Sequence, residues 1–241
     1  MIMGSLLLEG GAEFGGRMSE PDMRAMELAG GVDAPIAILP TAAAPDHNHE
    51  RAGRNGVRWF QSLGASRIDV VPVIDKASAN DPALAARVRS ARFIYMLGGF
   101  PGYLGETLVL SRAWNAALEA YQQGAVIGGS SAGAMVLCEY YYDPERGEVL
   151  PGLNLLSNAC VLPHYAGFGR NWAERLAQQL PTSTLIGIDE RTGILNDPSE
   201  AWTVYGGGNV TLYDVAQETV AERARRVTVH APGATFKLGN R

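Results

Sequence analysis

Short runs of apolar residues recur along the first half of the chain, and longer segments with a different periodicity separate them. Each run is apolar at nearly every position, which is typical of a strand buried on both faces of a sheet. The runs therefore predict buried strands, which lie at 5–11, 35–42, 67–74, 92–99 and 125–130.

The segments between these runs carry apolar residues at the spacing of one helix face, with glycine or polar residues at their ends. They predict helices, which lie at 21–30, 46–64, 81–91 and 105–124. Strands that alternate with helices form a mostly parallel sheet with helices on both faces, joined by right-handed crossovers. The expected fold class is α/β, a three-layer αβα sandwich with a doubly wound sheet.

The alternation loosens after residue 140. Two further apolar runs predict strands on either side of a helix, and several short segments after them are typical of hairpin strands. The first three elements are expected at 160–164, 170–180 and 184–190, and the hairpin strands within 193–197, 200–214 and 225–238. No linker or low-complexity stretch divides the chain, so we expect a single domain over residues 1–241.

Composition narrows the possible partners and location. The 241 residues include 20 Lys+Arg and 25 Asp+Glu, for a formal net charge of -5, and the basic residues are scattered. Such a chain is not drawn to a phosphate backbone or an anionic membrane, so we expect neither nucleic acid nor membrane as a partner. No run approaches the roughly 20 apolar residues of a membrane span and the start lacks the features of a secretory signal, which favours a cytoplasmic location.

A serine turn follows the fifth predicted strand. The stretch GGSSAGAM, residues 128–135, contains Gly129-Ser130-Ser131-Ala132-Gly133, which fits the pattern G-x-S-x-G. In that pattern a strand turns sharply into a helix and presents the central serine at the apex, where the free N–H groups of the helix can hold an oxyanion. The turn predicts a nucleophile at Ser131, with an ordinary serine-capped connection as the alternative.

A nucleophilic serine needs a base, and the chain offers four histidines. His164 directly follows an apolar run, at a strand end where ligands of open α/β sheets bind, and it is the best candidate. His47 and His49 lie in PDHNHE without carboxylate or cysteine partners at ligand spacing, which favours a solvated loop over a metal site. His230 alternates with valines and is expected on the polar face of a late strand.

The acid that would orient the imidazole is less well defined by the sequence. Glu190 and Asp189 both end the run TLIGIDE, where they point to opposite faces if the strand continues. Either carboxylate also fits a solvated loop. A rival triad of Ser131, Asp214 and His230 has the chain order of α/β-hydrolases, although Asp214 follows a late hairpin rather than a parallel strand. Spacing alone leaves these choices open.

Taken together, these motifs resemble the dipeptidase E and cyanophycinase family of serine peptidases. The matching pieces occur in the family's order over roughly residues 5–214, and they are EGGAE, LPTAAAP, MLGG, GGSSAGAM, LPHY with a following GR, IGIDERTGIL and GGGNVTLYD. The resemblance implies a fold similar to that of class I glutamine amidotransferases. It also implies a peptidase that works without a metal or an organic cofactor.

The resemblance further implies roles for individual residues. The implied triad is Ser131, His164 and Glu190, and only the resemblance selects Glu190 over Asp189. The oxyanion hole would be formed by the backbone N–H groups of Gly99, in the motif MLGG, and of Ala132, in GGSSAGAM. Glutamine amidotransferases use a cysteine at this turn. The chain has two cysteines, Cys138 and Cys160, and Cys138 is expected to lie buried in the helix after the turn.

Departures from the family pattern bear on the substrate. Phe100-Pro101-Gly102 stands where relatives generally carry Asp or Asn followed by Gln, and Leu162-Pro163 replaces the Asp-Gln that precedes the histidine of cyanophycinases. Arg170 matches one arginine position. We expect Phe100 and Arg170 to contact substrate, Arg170 as the cation that binds an aspartyl carboxylate, with a surface or helix-capping arginine as the alternative.

The expected function is therefore hydrolysis of short peptides through an acyl-enzyme, with the activity of dipeptidase E, which removes an N-terminal aspartate from dipeptides. The alternatives are a cyanophycinase-like hydrolase of aspartyl-arginine linkages and a non-catalytic member that binds a small ligand. The expected partners are a short peptide substrate and a second copy of the chain in a homodimer.

Overall fold

The structure is a computed structural model that describes residues 4–196, 201–215 and 225–238. Its strands, in chain order, are β1 (Leu6–Glu9), β2 (Ile36–Leu39), β3 (Ile68–Val70), β4 (Phe93–Met96), β5 (Val126–Ser130), β6 (Tyr140–Asp143), β7 (Glu148–Pro151), β8 (Ala159–Leu162), β9 (Thr184–Ile188), β10 (Thr192–Asn196), β11 (Trp202–Gly206), β12 (Val210–Val215), β13 (Arg225–His230) and β14 (Thr235–Phe236). Its α-helices are α1 (Ser19–Ala29), α2 (His49–Ser62), α3 (Lys76–Ala79), α4 (Pro82–Arg89), α5 (Pro101–Leu108), α6 (Arg112–Gln122), α7 (Ala132–Val136) and α8 (Ala173–Gln179).

The central sheet has the strand order β14-β11-β10-β1-β5-β4-β2-β3 within the described residues. The strands from β1 to β3 in this order run parallel to one another, and they are the strands that the apolar runs predicted. The remaining strands, β10, β11 and β14, extend the β1 edge in antiparallel pairs. The mostly parallel α/β sheet expected from the sequence is confirmed.

Both faces of this sheet are buried, because successive side chains of each strand point to opposite faces. Leu7 faces a cluster that includes Met26 of α1 and Phe60 of α2. Leu8 faces the opposite cluster, which includes Leu104 of α5. Helices on both sides make the three layers of the expected αβα sandwich.

A second sheet, with the order β13-β12-β9-β8, packs on one side of the central sheet. Strands β8 and β9 are parallel, whereas β12 and β13 extend them in antiparallel pairs. Val161 and Ile186 from this sheet pack in the same core as Leu8. Leu162 and Leu185, on its other face, pack in a separate cluster with α8. The apolar runs at 160–164 and 184–190 are thus strands, but strands of another sheet.

Backbone hydrogen bonds join the loops of the second sheet to the end of β1. The N–H of His164 donates to the Gly10 carbonyl at 2.7 Å, and the N–H of Arg191 donates to the Gly11 carbonyl at 2.9 Å. A Cβ on Gly10 would lie only 2.2 Å from the carbonyl oxygen of Asp189, so this approach requires glycine. These contacts fix where the loops after β8 and β9 meet the central sheet.

The prediction of one helix over 105–124 is wrong in one respect, because two helices cover this segment. Helix α5 ends at Leu108, and Leu110 adopts a left-handed conformation with φ of 57°. Ser111 then starts α6 as its N-cap, since its Oγ accepts a hydrogen bond from the N–H of Trp114 at 3.1 Å. The apolar periodicity continues across the break and therefore conceals it.

The helix after the serine turn is shorter than expected. It ends at Val136, so Cys138 lies beyond the helix rather than in it. The reason is that the segment after β7 takes the carbonyl groups that a longer helix would use: the N–H of Leu153 donates to Val136, and that of Asn154 to Cys138. The hairpin of β6 and β7 that follows was not predicted. Residues 197 and 200 of the predicted late strands, and both ends of the expected 1–241 domain, lie outside the described residues.

We predict that Leu110→Gly raises the free energy of unfolding by about 0.5–1 kcal/mol. Left-handed backbone costs an L-residue about 1–2 kcal/mol, more than glycine loses in unfolded-state entropy, and the Leu110 side chain is 90% exposed. Chemical denaturation measures the change. Val109→Gly is the control, because Val109 has a φ of -55° and gains no such relief. A midpoint lowered equally by both substitutions would contradict the prediction.

Candidate active site

The serine turn has the geometry of a nucleophile elbow. Ser131 connects β5 directly to α7 with φ of 50° and ψ of -113°, a sparsely populated conformation for a residue with a side chain. The backbone around it is packed too tightly for larger residues. A Cβ on Gly129 would lie 2.5 Å from the carbonyl carbon of Gly133, and one on Gly133 would lie 2.3 Å from the Met96 carbonyl oxygen.

A chain of hydrogen bonds runs from this serine through a histidine to a glutamate. The Oγ of Ser131 lies 3.0 Å from His164 Nε2, and His164 Nδ1 lies 2.7 Å from Glu190 Oε1. With its proton on Nδ1, the imidazole donates to Glu190 and accepts from the serine hydroxyl. The histidine side chain is 20% exposed and the glutamate side chain 57% exposed, so the carboxylate end faces solvent.

The imidazole is held from two sides. The ring of Phe168 stacks on it with a centroid distance of 4.9 Å and an interplanar angle of 23°. On the other side, a Cβ on Gly11 would lie 2.2 Å from His164 Cε1, so the glycine allows the ring to approach the backbone after β1. His164 itself has a φ of 47°. The ring orientation is therefore set by the loop that carries it as well as by Glu190.

The structure distinguishes the two carboxylates, Glu190 and Asp189, that the sequence left as alternatives for the acid that orients the imidazole. Glu190 contacts His164, whereas Asp189 accepts hydrogen bonds from backbone N–H groups, that of Ala166 at 3.0 Å and that of Asn209 at 2.9 Å. Asp189 thereby ties the loop after β8 to the start of β12. It is a loop-stabilising carboxylate in this arrangement.

The rival triad is not brought together. Asp214 pairs with Arg226 across the β12–β13 hairpin and His230 pairs with Val210, so the two lie at opposite ends of the same hairpin. His230 contacts Thr228 Oγ1 at 3.2 Å and packs its ring against Phe236.

Neither His47 nor His49 belongs to a metal-binding cluster. Within the described parts of the chain, no group of three or more His, Cys, Asp or Glu side chains is arranged to hold a metal ion. His49 begins helix α2, and His47 adopts a left-handed conformation in the turn before it.

The residues expected to form the oxyanion hole flank the elbow. Ala132 is the first residue of α7, where backbone N–H groups have no partner inside the helix. Gly98 and Gly99 form the turn beside it: a Cβ on Gly98 would lie 3.3 Å from Ser131 Cβ. Gly99 has a φ of 141°, and a Cβ there would lie 2.2 Å from the Ala42 carbonyl oxygen. This turn is therefore restricted to glycine.

The two residues expected to bind substrate, Phe100 and Arg170, lie on different segments of the chain. Phe100 is the N-cap of α5, is half-buried, and donates its N–H to the Ala42 carbonyl at 2.9 Å. Arg170 lies in the turn after His164, exposed, with its guanidinium 5.3 Å from the ring centroid of Tyr165. Their contact with substrate stays a prediction.

A cleft of about 510 Å³ opens beside the elbow on the side of α2. Its walls come from the loops after β1, β2 and β4 and from one face of α2, and its lining residues are Glu13, Phe14, Ala43, Asn48, Ala52, Asn55, Arg58, Trp59, Ser62, Leu97 and Gly98. Phe100 does not line it. The motif EGGAE contains Glu13, but nothing in the sequence marks this residue as part of a cleft, because an acidic residue in a loop is usually solvated.

Below the cleft, two buried carboxyl groups lie side by side. Glu9 ends β1 and accepts a hydrogen bond from the Tyr95 hydroxyl, and Asp22 accepts one from Trp59 Nε1 at 2.7 Å. Burial raises the pKa of Glu9 well above its ordinary value and the pKa of Asp22 to about 7. Within the described residues, the second oxygen of each carboxyl group has no hydrogen-bond partner. A proton shared between the two groups is the arrangement that would satisfy both oxygens. Sequence reasoning missed this pair, because nothing local marks Glu9 and Asp22 as neighbours.

Both cysteines are buried, as expected for Cys138. Burial raises the pKa of the Cys138 thiol well above its ordinary value and that of Cys160 to about 12. The thiolate is the reactive form of cysteine, so these residues are unreactive at neutral pH.

Comparison with known proteins identifies the family. The model of peptidase family S51 matches residues 6–204. The chain belongs to peptidase family S51. The resemblance seen in the sequence motifs is confirmed, and the chain is a peptidase, an enzyme of the hydrolase class. None of the helices in the described residues has the length and apolar character needed to cross a membrane.

Individual relatives agree with this S51 assignment. The chain is 28% identical to a cyanophycinase of Synechococcus elongatus over 251 aligned positions, which cover 98% of this chain and 75% of the relative. It is 30% identical to a cyanophycinase of Geminocystis herdmanii (strain PCC 6308) over 230 positions, covering 88% of this chain and 81% of the relative.

Two solved structures share the fold. A peptidase from an acI-B1 Actinobacterium superposes with a TM-score of 0.84 at 28% identity, over 98% of this chain and 97% of that one. A Listeria monocytogenes EGD-e protein named as a Peptidase E superposes with a TM-score of 0.56 at 18% identity, over 89% of this chain and all of that one. The second likeness shows the fold alone.

We predict that Glu9→Gln flattens the dependence of stability on pH. A carboxyl group whose pKa is raised by folding keeps its proton at a pH where the unfolded chain has lost it. Stability therefore falls as pH rises from the unfolded pKa of about 4 toward the folded value, which is about 7 for Asp22. The limiting slope is about 1.4 kcal/mol per pH unit for each group. Glutamine does not titrate and keeps an N–H donor for Asp22.

Urea unfolding of wild type and Glu9→Gln at pH values between about 4.5 and 8 measures this slope. Glu50→Gln serves as the control, because its exposed carboxylate pairs with Arg54 at the surface. Parallel pH profiles for wild type and Glu9→Gln would exclude a shared proton in the buried pair.

Proposed function

We propose that the chain is a serine peptidase that hydrolyses short peptides through an acyl-enzyme formed on Ser131. The observation that carries this proposal is the hydrogen-bonded series of Ser131, His164 and Glu190, with distances of 3.0 Å and 2.7 Å. A hydroxyl, an imidazole and a carboxylate in this order make up the catalytic triad of serine hydrolases.

Acylation begins when Ser131 Oγ bonds to the scissile carbonyl carbon and its proton passes to His164 Nε2. The C–N bond then breaks as Nε2 returns that proton to the departing amine, which leaves an ester on Ser131. Water repeats the sequence: it gives a proton to Nε2, attacks the ester, and Ser131 Oγ regains a proton as the carboxylic acid leaves. Glu190 keeps the imidazole in the required tautomer and stabilises the imidazolium.

The developing negative charge on the carbonyl oxygen needs donors that are already in place. The N–H groups of Gly99 and Ala132 are the proposed oxyanion hole, because both flank Ser131 on rigid glycine-restricted or helix-start backbone. One such donor typically contributes about 3–4 kcal/mol to lowering the barrier.

The proposed substrate is a dipeptide with an N-terminal aspartate, as for dipeptidase E. The motif Pro163-His164-Tyr165 resembles that branch, and Arg170 in the turn after the histidine offers a cation for the aspartyl carboxylate. A cyanophycinase-like cleavage of aspartyl-arginine linkages is the second candidate, favoured by the 28–30% identity to cyanophycinases. A homodimeric assembly, a cytoplasmic location and a single domain over 1–241 stay predictions.

The decisive experiment compares wild type and Ser131→Ala on the dipeptides Asp-Leu, Ala-Leu and β-Asp-Arg. We expect wild type to cleave Asp-Leu fastest and Ser131→Ala to lose at least about 10⁴-fold in kcat, because the nucleophile is gone. A preference for β-Asp-Arg would select the cyanophycinase-like activity. Binding without turnover in wild type would select the non-catalytic alternative.

Labelling with a fluorophosphonate distinguishes Ser131 from its neighbour Ser130, which serves as the matched control. Ser130→Ala should still be labelled, since the Ser130 hydroxyl is buried and donates to Glu13 at 2.8 Å, whereas Ser131→Ala should not. Labelling of Ser131→Ala at the wild-type rate would rule out Ser131 as the nucleophile.

We predict that Glu190→Gln lowers kcat by about 10²–10⁴-fold with little change in stability, because glutamine no longer holds the imidazole proton on Nδ1. Asp189→Asn is the matched neighbour. It weakens the backbone contacts to Ala166 and Asn209, so it should lower the free energy of unfolding by about 1 kcal/mol and reduce kcat less than tenfold. Steady-state kinetics and urea unfolding measure the two effects. A large loss of kcat in Asp189→Asn with a small loss in Glu190→Gln would instead make Asp189 the acid that orients the imidazole.

A further inference from the structure

One negatively charged side chain of the cleft wall, that of Glu13, lies close to the nucleophile. A Cβ on Gly98 would lie 3.3 Å from Ser131 Cβ and 3.4 Å from Glu13 Oε1, so the serine and the glutamate both lie beside this glycine. Because glycine has no side chain, the space between them stays open to the cleft that Glu13 and Gly98 both line. A group next to the scissile carbonyl of a peptide held at Ser131 would therefore lie near Glu13.

The charge of Glu13 has no cationic partner within the described residues. Its Oε2 accepts a hydrogen bond from Ser130 Oγ at 2.8 Å, and no arginine, lysine or histidine of the described chain forms an ion pair with it. The negative charge of Glu13 is one cause of the raised pKa of the buried carboxyl groups of Glu9 and Asp22. This end of the cleft therefore attracts a cation.

The other formal charge on the cleft wall is Arg58, which is exposed on α2 and donates to Asn55 Oδ1 at 2.6 Å. A Glu13 oxygen is among the three atoms nearest to a Cβ placed on Gly98, and no Arg58 atom is. Of these two charges on the cleft wall, the carboxylate of Glu13 is therefore the one placed beside Gly98 and Ser131. It repels the carboxyl terminus of a peptide and attracts an ammonium group.

The covalent geometry of a peptide fixes which ammonium this is. The α-nitrogen of a residue lies about 2.5 Å from its own carbonyl carbon, so an N-terminal residue under attack places its ammonium within a hydrogen-bond length or two of the nucleophile. We infer that Glu13 binds the free α-ammonium of the substrate's N-terminal residue, which makes the cleft the subsite for that residue and the enzyme specific for peptides with an unblocked amino terminus. This inference rests on the proposed peptidase function.

Binding to an inactive protein tests the inference without relying on turnover. In the Ser131→Ala background, calorimetry compares Asp-Leu with N-acetyl-Asp-Leu, which differs only in lacking the ammonium. We expect the acetylated peptide to bind about 10–100-fold more weakly, and Glu13→Gln to weaken Asp-Leu by a similar factor while leaving the acetylated peptide unchanged. Glutamine still accepts from Ser130, and Glu50→Gln, an exposed glutamate of α2 outside the cleft lining, is the matched control.

Equal binding of the free and acetylated peptides overturns the inference, as does unchanged binding of Asp-Leu by Glu13→Gln or failure of Asp-Leu to bind. The comparison of the two peptides needs no variant at Glu13, so it holds even if Glu13→Gln folds poorly. The proposed function is judged separately, by whether wild type hydrolyses peptides and Ser131→Ala does not. Failure of the proposed peptidase function and failure of ammonium binding by Glu13 are therefore distinguishable results.

Discussion

The site depends on two consecutive glycines at the end of β1. The carbonyl oxygens of Gly10 and Gly11 accept hydrogen bonds from the backbone N–H groups of His164 and Arg191. These bonds hold the loops of the second sheet against the central sheet. Both positions exclude a side chain, because Gly10 touches the backbone of Asp189 and Gly11 touches the His164 ring. The serine belongs to one sheet and its histidine and glutamate to the other, so their alignment depends on this junction.

Conformational strain is concentrated around the same junction. Ser131, His164 and Arg191 all have positive φ, at 50°, 47° and 55°, and none of them is glycine. Such conformations persist only where the surrounding contacts outweigh them, and they are common where a side chain must be held in one orientation. The buried pair of Glu9 and Asp22 lies under the same region and lowers stability further as pH rises. Strained backbone, which also occurs at Leu110 outside the site, is thus present where the proposed chemistry takes place.

Much of the fold was predictable because it depends on local patterns. The parallel strands are apolar at most positions, and the elbow of Ser131 has its own five-residue pattern. The break at Leu110 was not predictable, since the apolar periodicity of α5 and α6 continues across it. The end of α7 also escaped prediction, because distant residues 153–154 take its carbonyl groups.

The candidate site was predictable in part. His164 was found because it follows an apolar run, but the run itself does not reveal that β8 belongs to a second sheet. The choice of Glu190 over Asp189 needs the path of the backbone after β9, which only the resemblance indicated. The roles of Glu13 and of the pair of Glu9 and Asp22 are not visible in the sequence, although EGGAE contains both glutamates, because their environment is built from residues far apart in the chain.

The junction at Gly10 and Gly11 has a consequence for how such an enzyme can change over time. Main-chain hydrogen bonds do not depend on which side chains surround them. Residues of either core can therefore be exchanged for others of similar volume, and the pocket walls can be rebuilt for new peptides, without disturbing the alignment of serine and imidazole. The substrate can therefore change while the mechanism is kept, as long as Gly10 and Gly11 stay in place.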